Sequence, residues 1–297
     1  MARIGTFKSD AARATFDDAY AAVERLWPLP ATVRDVPTSY GSTRVRSSGS
    51  GDGPPFVLLH GFGGNGATWH GYVEALARDR AVHALDTMGA AGRSVQTAPL
   101  RRETDLARWF TEVLDGLGVE RAHVVGESQG AWHATVMAMH APGRLASVSL
   151  IEPNGVFARV PVRSLMRMLR LGANPTENGW RRMAAWLTPG VTLPGEVLAV
   201  AKAAQGFRPG LGWARTLTDA EVRSLSVPLL AILGDRSVVS NPVRTGDRLR
   251  SLAPRAEIEV YEDRGHGVLG EIPEEILGRV TAFASSHDSE RLPTSRH

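Results

Sequence analysis

The chain contains no cysteine, and Lys8 and Lys202 are its only lysines. The first absence removes disulfides, thiol nucleophiles and cysteine-ligated metals, and it fits a cytoplasmic protein. No apolar run is long enough to cross a bilayer, so no membrane span is expected. The first five residues lack the apolar core of a signal peptide. Arginine supplies nearly all the positive charge, but 34 Lys and Arg face 31 Asp and Glu, a net of only +3. No dense basic stripe with interleaved aromatics stands out, so no nucleic-acid partner is expected. G-x-G-x-x-G spacing and a P-loop lysine are also missing, and nothing implies a cofactor or a metal.

What is present fits one large α/β domain: 297 residues, 43% of them hydrophobic, enough for a sizeable core. The organising stretch runs from Ala122 through Gly126-Glu127-Ser128-Gln129-Gly130 to Ala134. It reads as a short apolar strand, a G-x-S-x-G turn and a helix. In such an elbow a tight turn lifts a serine hydroxyl clear of the sheet. Gly126 and Gly130 suit a place where backbone passes too close for a Cβ. The following helix aims its positive end at the serine, which favours a developing oxyanion.

Strands are expected at residues 55–59, 81–85, 122–126, 146–151, 227–233 and 256–261, alternating with helices. That rhythm implies a mostly parallel sheet covered on both faces, doubly wound, with sites at the carboxyl ends of strands. Phe62, Asp86, Ser128 and Glu152 fall at those ends. The Gly-rich loop from His60 to Gly66 reads as an oxyanion loop, with Phe62 supplying a backbone N–H to an acyl oxygen.

A hairpin is expected over residues 32–46. A helix is expected over residues 10–26, with Phe16, Tyr20, Val23 and Trp27 on one face. It packs on the outside of the domain or, alternatively, serves as a dimerisation arm or part of the cover over the site. From residue 154 to 225 the rhythm changes to short helices with Trp180, Trp186, Trp213 and several Pro and Gly. This stretch reads as a helical cap inserted after the sixth strand. The core is then residues 1–153 and 226–286, and residues 287–297 form a disordered tail. Arg163, Arg167 and Arg170 share one helix face, expected to be solvated, with acidic-substrate or membrane-surface contact as the alternative.

Taken together, His60-Gly61-Phe62-Gly63-Gly64, Asp86 with its glycine-punctuated turn, Gly126-Glu127-Ser128-Gln129-Gly130, Pro228 and Gly265-His266 resemble the α/β-hydrolase superfamily. The resemblance implies an eight-stranded α/β-hydrolase sheet with a cap, and a serine hydrolase of the esterase or lactonase kind. Ser128 would attack an acyl carbon, and His266 would act as base and then acid. The N–H groups of Phe62 and Gln129 would hold the oxyanion. The third member departs from the family pattern, because Ser237 stands where an aspartate usually follows the seventh strand. Glu152 is the favoured acid and Asp235 the alternative. The expected substrate is a small hydrophobic ester or acyl compound. The alternatives are an acyltransferase or cyclase on the same site, or a catalytically silent binding protein.

Overall fold

The computed structural model describes residues 3–172 and 176–288. In chain order the elements are β1 (Thr6–Phe7), α1 (Asp10–Glu24), β2 (Thr32–Thr38), β3 (Gly41–Ser48), β4 (Phe56–Leu59), α2 (Val73–Leu76), β5 (Val82–Leu85), β6 (Val95–Gln96), α3 (Glu103–Leu117), β7 (Ala122–Glu127) and α4 (Gln129–His140). They continue with β8 (Leu145–Ile151), α5 (Val162–Gly172), α6 (Glu177–Leu187), α7 (Gly195–Ala203), β9 (Phe207–Arg208), α8 (Asp219–Arg223), β10 (Leu229–Gly234), α9 (Pro242–Leu252), β11 (Glu257–Tyr261), α10 (Val268–Glu271) and α11 (Pro273–Ser286).

Eight strands pair in the order β11, β10, β8, β7, β4, β5, β3, β2. The six from β11 to β5 are parallel; the hairpin β2–β3 is antiparallel to β5. The short β6 adds an antiparallel pairing to β3 beyond the eight expected. The central strands β4, β7, β8 and β10 bury both faces, and so they run largely apolar without alternation, whereas the outer β2 and β11 stay partly exposed. Strand β4 shows how the two cores divide. Val57 and Leu59 join one core with Trp109, Phe110 and Val113 of α3 and Val136 of α4. Phe56 and Leu58 join the other with Val73 of α2 and Ile276, Val280 and Phe283 of α11. Period-two side-chain direction therefore delivers one apolar run to two helix layers.

Residues 154–225 form α5 to α8 with β9 among them. The sequence signals no strand here, yet Phe7 and Thr6 of β1 pair antiparallel with Phe207 and Arg208 of β9. Two residues are too few to show a period. Helix α1 starts where the Ser9 hydroxyl accepts from the Ala12 N–H, a side-chain N-cap. Its face of Phe16, Tyr20 and Val23 packs with Val200 of α7, Phe207 and Ala67. The amino-terminal helix is thus packed, and one surface it packs on belongs to the 154–225 stretch. Of the tail expected to be disordered, His287 and Asp288 are placed: Asp288 bonds Arg80 and the His123 Nε2. Residues 289–297 lie outside the described residues.

Candidate active site

The elbow is built by close backbone approach. A Cβ on Gly126 would stand 2.3 Å from the Gly130 carbonyl oxygen, and one on Gly130 2.0 Å from that of Leu59. Both are well inside van der Waals contact, so only glycine lets β7, β4 and α4 meet. Ser128 between them has φ 52° and ψ −111°, outside the ordinary regions for an L-residue. Its N–H donates to the Ile151 carbonyl at 2.9 Å, which pins the turn to the adjacent strand.

Three side chains then line up. The Ser128 hydroxyl lies 3.0 Å from Nε2 of His266, and Nδ1 of His266 lies 2.9 Å from Oε2 of Glu152. Glu152 is fully buried, one residue beyond β8, also at φ 52°. Its Oε1 accepts the Gly234 N–H at 2.6 Å, and its Oε2 accepts the Ser237 and Ser240 hydroxyls. A buried carboxylate is tolerable when its lone pairs are filled this way. Ser237 is therefore a donor to the acid rather than a vacancy left by one. An aspartate there would set a second carboxylate against Glu152, and like charges that close cannot both ionise. Asp235, the alternative acid, is not brought to His266. It is exposed, and its Oδ1 accepts the Arg264 N–H at 3.2 Å.

The N–H groups of Phe62 and Gln129 have no protein acceptor among the described residues. Gln129 opens α4, where the first N–H groups are unpaired by geometry. Gly61, beside Phe62, packs on the Ser128 Cβ: a Cβ there would stand 3.5 Å away. The Phe62 ring turns outward and stacks on Trp213, with centroids 4.9 Å apart.

The other buried histidines serve the fold. Nε2 of His60 accepts the Thr87 N–H, which leaves the proton on Nδ1 facing the Gly61 carbonyl. Burial depresses the His133 ring to about 3 and the His123 and His83 rings to about 4. Asp86 accepts the N–H groups of Gly66 and Arg93 and the Tyr20 hydroxyl, so it ties the oxyanion loop to α1. Among the described residues there is no group of three or more His, Cys, Asp and Glu placed to hold a metal ion. No helix is long and apolar enough to cross a membrane.

Sequence reasoning overlooked Glu127. Its Oε2 lies 3.8 Å from where a Cβ on Gly61 would stand, and among the described residues its carboxyl has no hydrogen-bond or ion-pair partner. Burial raises this carboxyl above the usual range; His266 pulls it down and the Glu152 charge pushes it up. The signal was its place in the pentapeptide, directly before Ser128 at the end of β7. The Ser237 and Ser240 hydroxyls were equally hidden, because nothing local marks a serine as a donor to a carboxylate 85 or 88 residues away.

A family model described as the alpha/beta hydrolase fold matches residues 54–191. The uncharacterized carboxylesterase nap of Bacillus subtilis (strain 168) is 28% identical, over 87% of this chain and 88% of that one. The carboxylesterase YbfK of the same organism is 27% identical over 90% and 93%. The crystal structure of naproxen esterase from Bacillus subtilis superposes with a TM-score of 0.84 at 28% identity, covering 92% of this chain and 98% of that chain. With the sheet order and the Ser-before-His arrangement, these matches show the α/β-hydrolase fold. Within it, the chain is similar to carboxylesterases.

Proposed function

We propose that the protein hydrolyses a carboxylic ester or lactone through an acyl-enzyme on Ser128. One observation carries the reading: the unbroken chain of hydrogen bonds from Ser128 through His266 to Glu152. A serine hydroxyl is a weak nucleophile unless a base takes its proton. As Ser128 Oγ bonds the acyl carbon, Nε2 of His266 receives that proton. The charge that develops on the ring is balanced by the Glu152 carboxylate at Nδ1. The carbonyl oxygen, now an oxyanion, accepts from the Phe62 and Gln129 N–H groups. Each such donor is worth about a hundred- to a thousandfold in rate. Collapse expels the alcohol with the proton from His266. Water then repeats the cycle on the acyl-enzyme, releasing the acid and restoring Ser128.

The similarity to carboxylesterases over most of the chain supports ester hydrolysis. The helices of residues 154–225 support a cap over the acyl or ring portion of an apolar substrate. Leu187, at the end of α6, accepts the His266 N–H at 3.2 Å, so that stretch bears on the catalytic loop. The test is a phosphonate ester probe with intact mass, run beside a panel of acyl esters with graded alcohol present. One label on Ser128 is expected, with free acid dominant at every alcohol level. Ser128→Ala should abolish labelling and lower turnover by about four orders of magnitude or more. An active Ala variant would refute the nucleophile. Acyl-enzyme released only by a particular alcohol or amine would refute hydrolysis.

A further inference from the structure

Helix α5 carries a pattern that neither the core nor the catalytic site uses. Val162, Leu165, Met166 and Leu169 are 74%, 47%, 60% and 60% exposed. They stand at i, i+3, i+4 and i+7, so they form one continuous stripe along the helix. Ser164, on the opposite side, is buried. Exposed apolar side chains occurring singly are ordinary; four in register on one helix are not.

Arginines flank the stripe. Arg163, Arg167 and Arg170 lie one position beyond Val162, Met166 and Leu169. With Arg182, Ala185, Trp186 and Pro189 across the gap on and after α6, they line an open cavity of about 1250 Å3. Arg167 covers the Trp186 ring at 4.7 Å. None of Arg163, Arg167, Arg170 and Arg182 meets a carboxylate among the described residues. Other arginines are paired, as Arg215 is with Glu103 and Glu221, or Arg44 with Asp35. The imbalance is regional. Residues 154–225 hold ten Lys and Arg against four Asp and Glu, a net of +6, while the rest of the chain holds 24 against 27.

We propose that the α5–α6 face docks the enzyme on an anionic lipid surface. An apolar stripe edged by long basic side chains is what an interfacial helix presents: the stripe enters the acyl boundary and the arginines stay with the head groups. Four apolar side chains on one helix fall far short of the twenty to thirty residues a side of a stable protein interface. The face also abuts the site. Pro189 packs on Gly265, the residue before His266, and the Leu187 carbonyl receives the His266 N–H. Resting on the ester reading above, the docked enzyme would draw amphiphilic esters from that surface.

The experiment is sedimentation of the full chain with phosphatidylcholine vesicles and with vesicles containing 30% phosphatidylglycerol. Binding is expected on the anionic vesicles only, weakening as salt rises. Arg163→Gln, Arg167→Gln and Arg170→Gln together should weaken it on the order of a hundredfold, about fivefold for each arginine. Met166→Gln with Leu169→Gln should weaken it at every salt concentration. Turnover of a soluble, monomeric short-chain ester should not change in either variant. No binding, equal binding to both vesicle types, or binding indifferent to the substitutions would overturn the proposal. So would a dimer that these substitutions dissolve, since a second copy would then be what covers the face. Loss of soluble-ester turnover in the variants would also overturn it, because the face would then be structural. Sedimentation reads docking without turnover, so a chain that binds vesicles but cleaves no ester fails the hydrolase reading alone.

Discussion

Ser128 and Glu152 end neighbouring parallel strands, and both sit at φ 52°. Such a backbone costs a non-glycine residue about 1–3 kcal/mol, so each must be held from outside. They are held in different ways. Ser128 is forced by sterics and backbone: two glycines let three backbone segments converge, and its N–H is pinned to the Ile151 carbonyl. Glu152 is held by hydrogen bonds from Gly234, Ser237 and Ser240, all reached through the pairing of β8 with β10. One strand end is fixed by what is missing from its side chains, the other by what remote side chains donate. The first should fail abruptly on substitution and the second in steps.

The largest effect that sharpens this contrast is at the carboxylate. Glu152→Gln keeps the shape but removes the charge that balances His266, and its amide also favours the wrong ring tautomer. The expected loss in kcat is about four orders of magnitude. Asp235→Asn should cost little, since Asp235 is exposed and, among the described residues, accepts only the Arg264 N–H. Steady-state rates for the two variants on one ester make the check. A dead Asp235→Asn beside an active Glu152→Gln would transfer the role.

The next effect belongs to the hydroxyls. Ser240→Ala and Ser237→Ala each remove a hydrogen bond to a buried charged group, worth about 1.5–3 kcal/mol. If that energy orients the carboxylate, each variant should lose roughly 10- to 100-fold in kcat, with KM nearly constant. The double variant should fall further than either, though by less than the product, because the two donors share Oε2 and Ser237 also accepts the Ser240 N–H. Equal loss in kcat and in thermal stability, with no change in the pH profile, would assign the hydroxyls to the fold alone.

The same contrast explains what could be read from the sequence. The elbow was legible because its pattern is local, five letters with a strand before and a helix after, although the approach of the Leu59 carbonyl to Gly130 comes from another strand. His266 was legible from its loop. Glu152 was favoured over Asp235 from its place at the end of the sixth strand, but its bonds to Gly234, Ser237 and Ser240 needed the register in which Ile151 faces Ile232, a relation between segments some eighty residues apart that no periodicity encodes. The amphipathic face of α1 could be seen, but its partner α7 lies across most of the chain. The β1–β9 pairing was invisible, and so was Asp288 reaching back to Arg80, because each rests on one or two residues with no repeating pattern.

The smallest effect is at Glu127, where the strand end before Ser128 carries a carboxyl that no hydrogen bond holds among the described residues. Burial raises its carboxyl above the usual 4.5, so the folded chain binds that proton more tightly than the unfolded chain does. The sign follows: the stability tied to this group is complete below about pH 4.5, the unfolded value, and is lost as pH rises through the folded one. Glu127→Gln removes the titration. Its thermal midpoint should exceed that of the parent at neutral pH, and the gap should close as pH falls below about 4.5. The barrier to ester cleavage should change by less than about 1 kcal/mol, because no hydrogen bond is broken. Midpoints measured across pH 4 to 8 decide the matter. A variant less stable than the parent at neutral pH would mean that the carboxylate is held as firmly as Glu152, and the contrast between the two strand ends would fail.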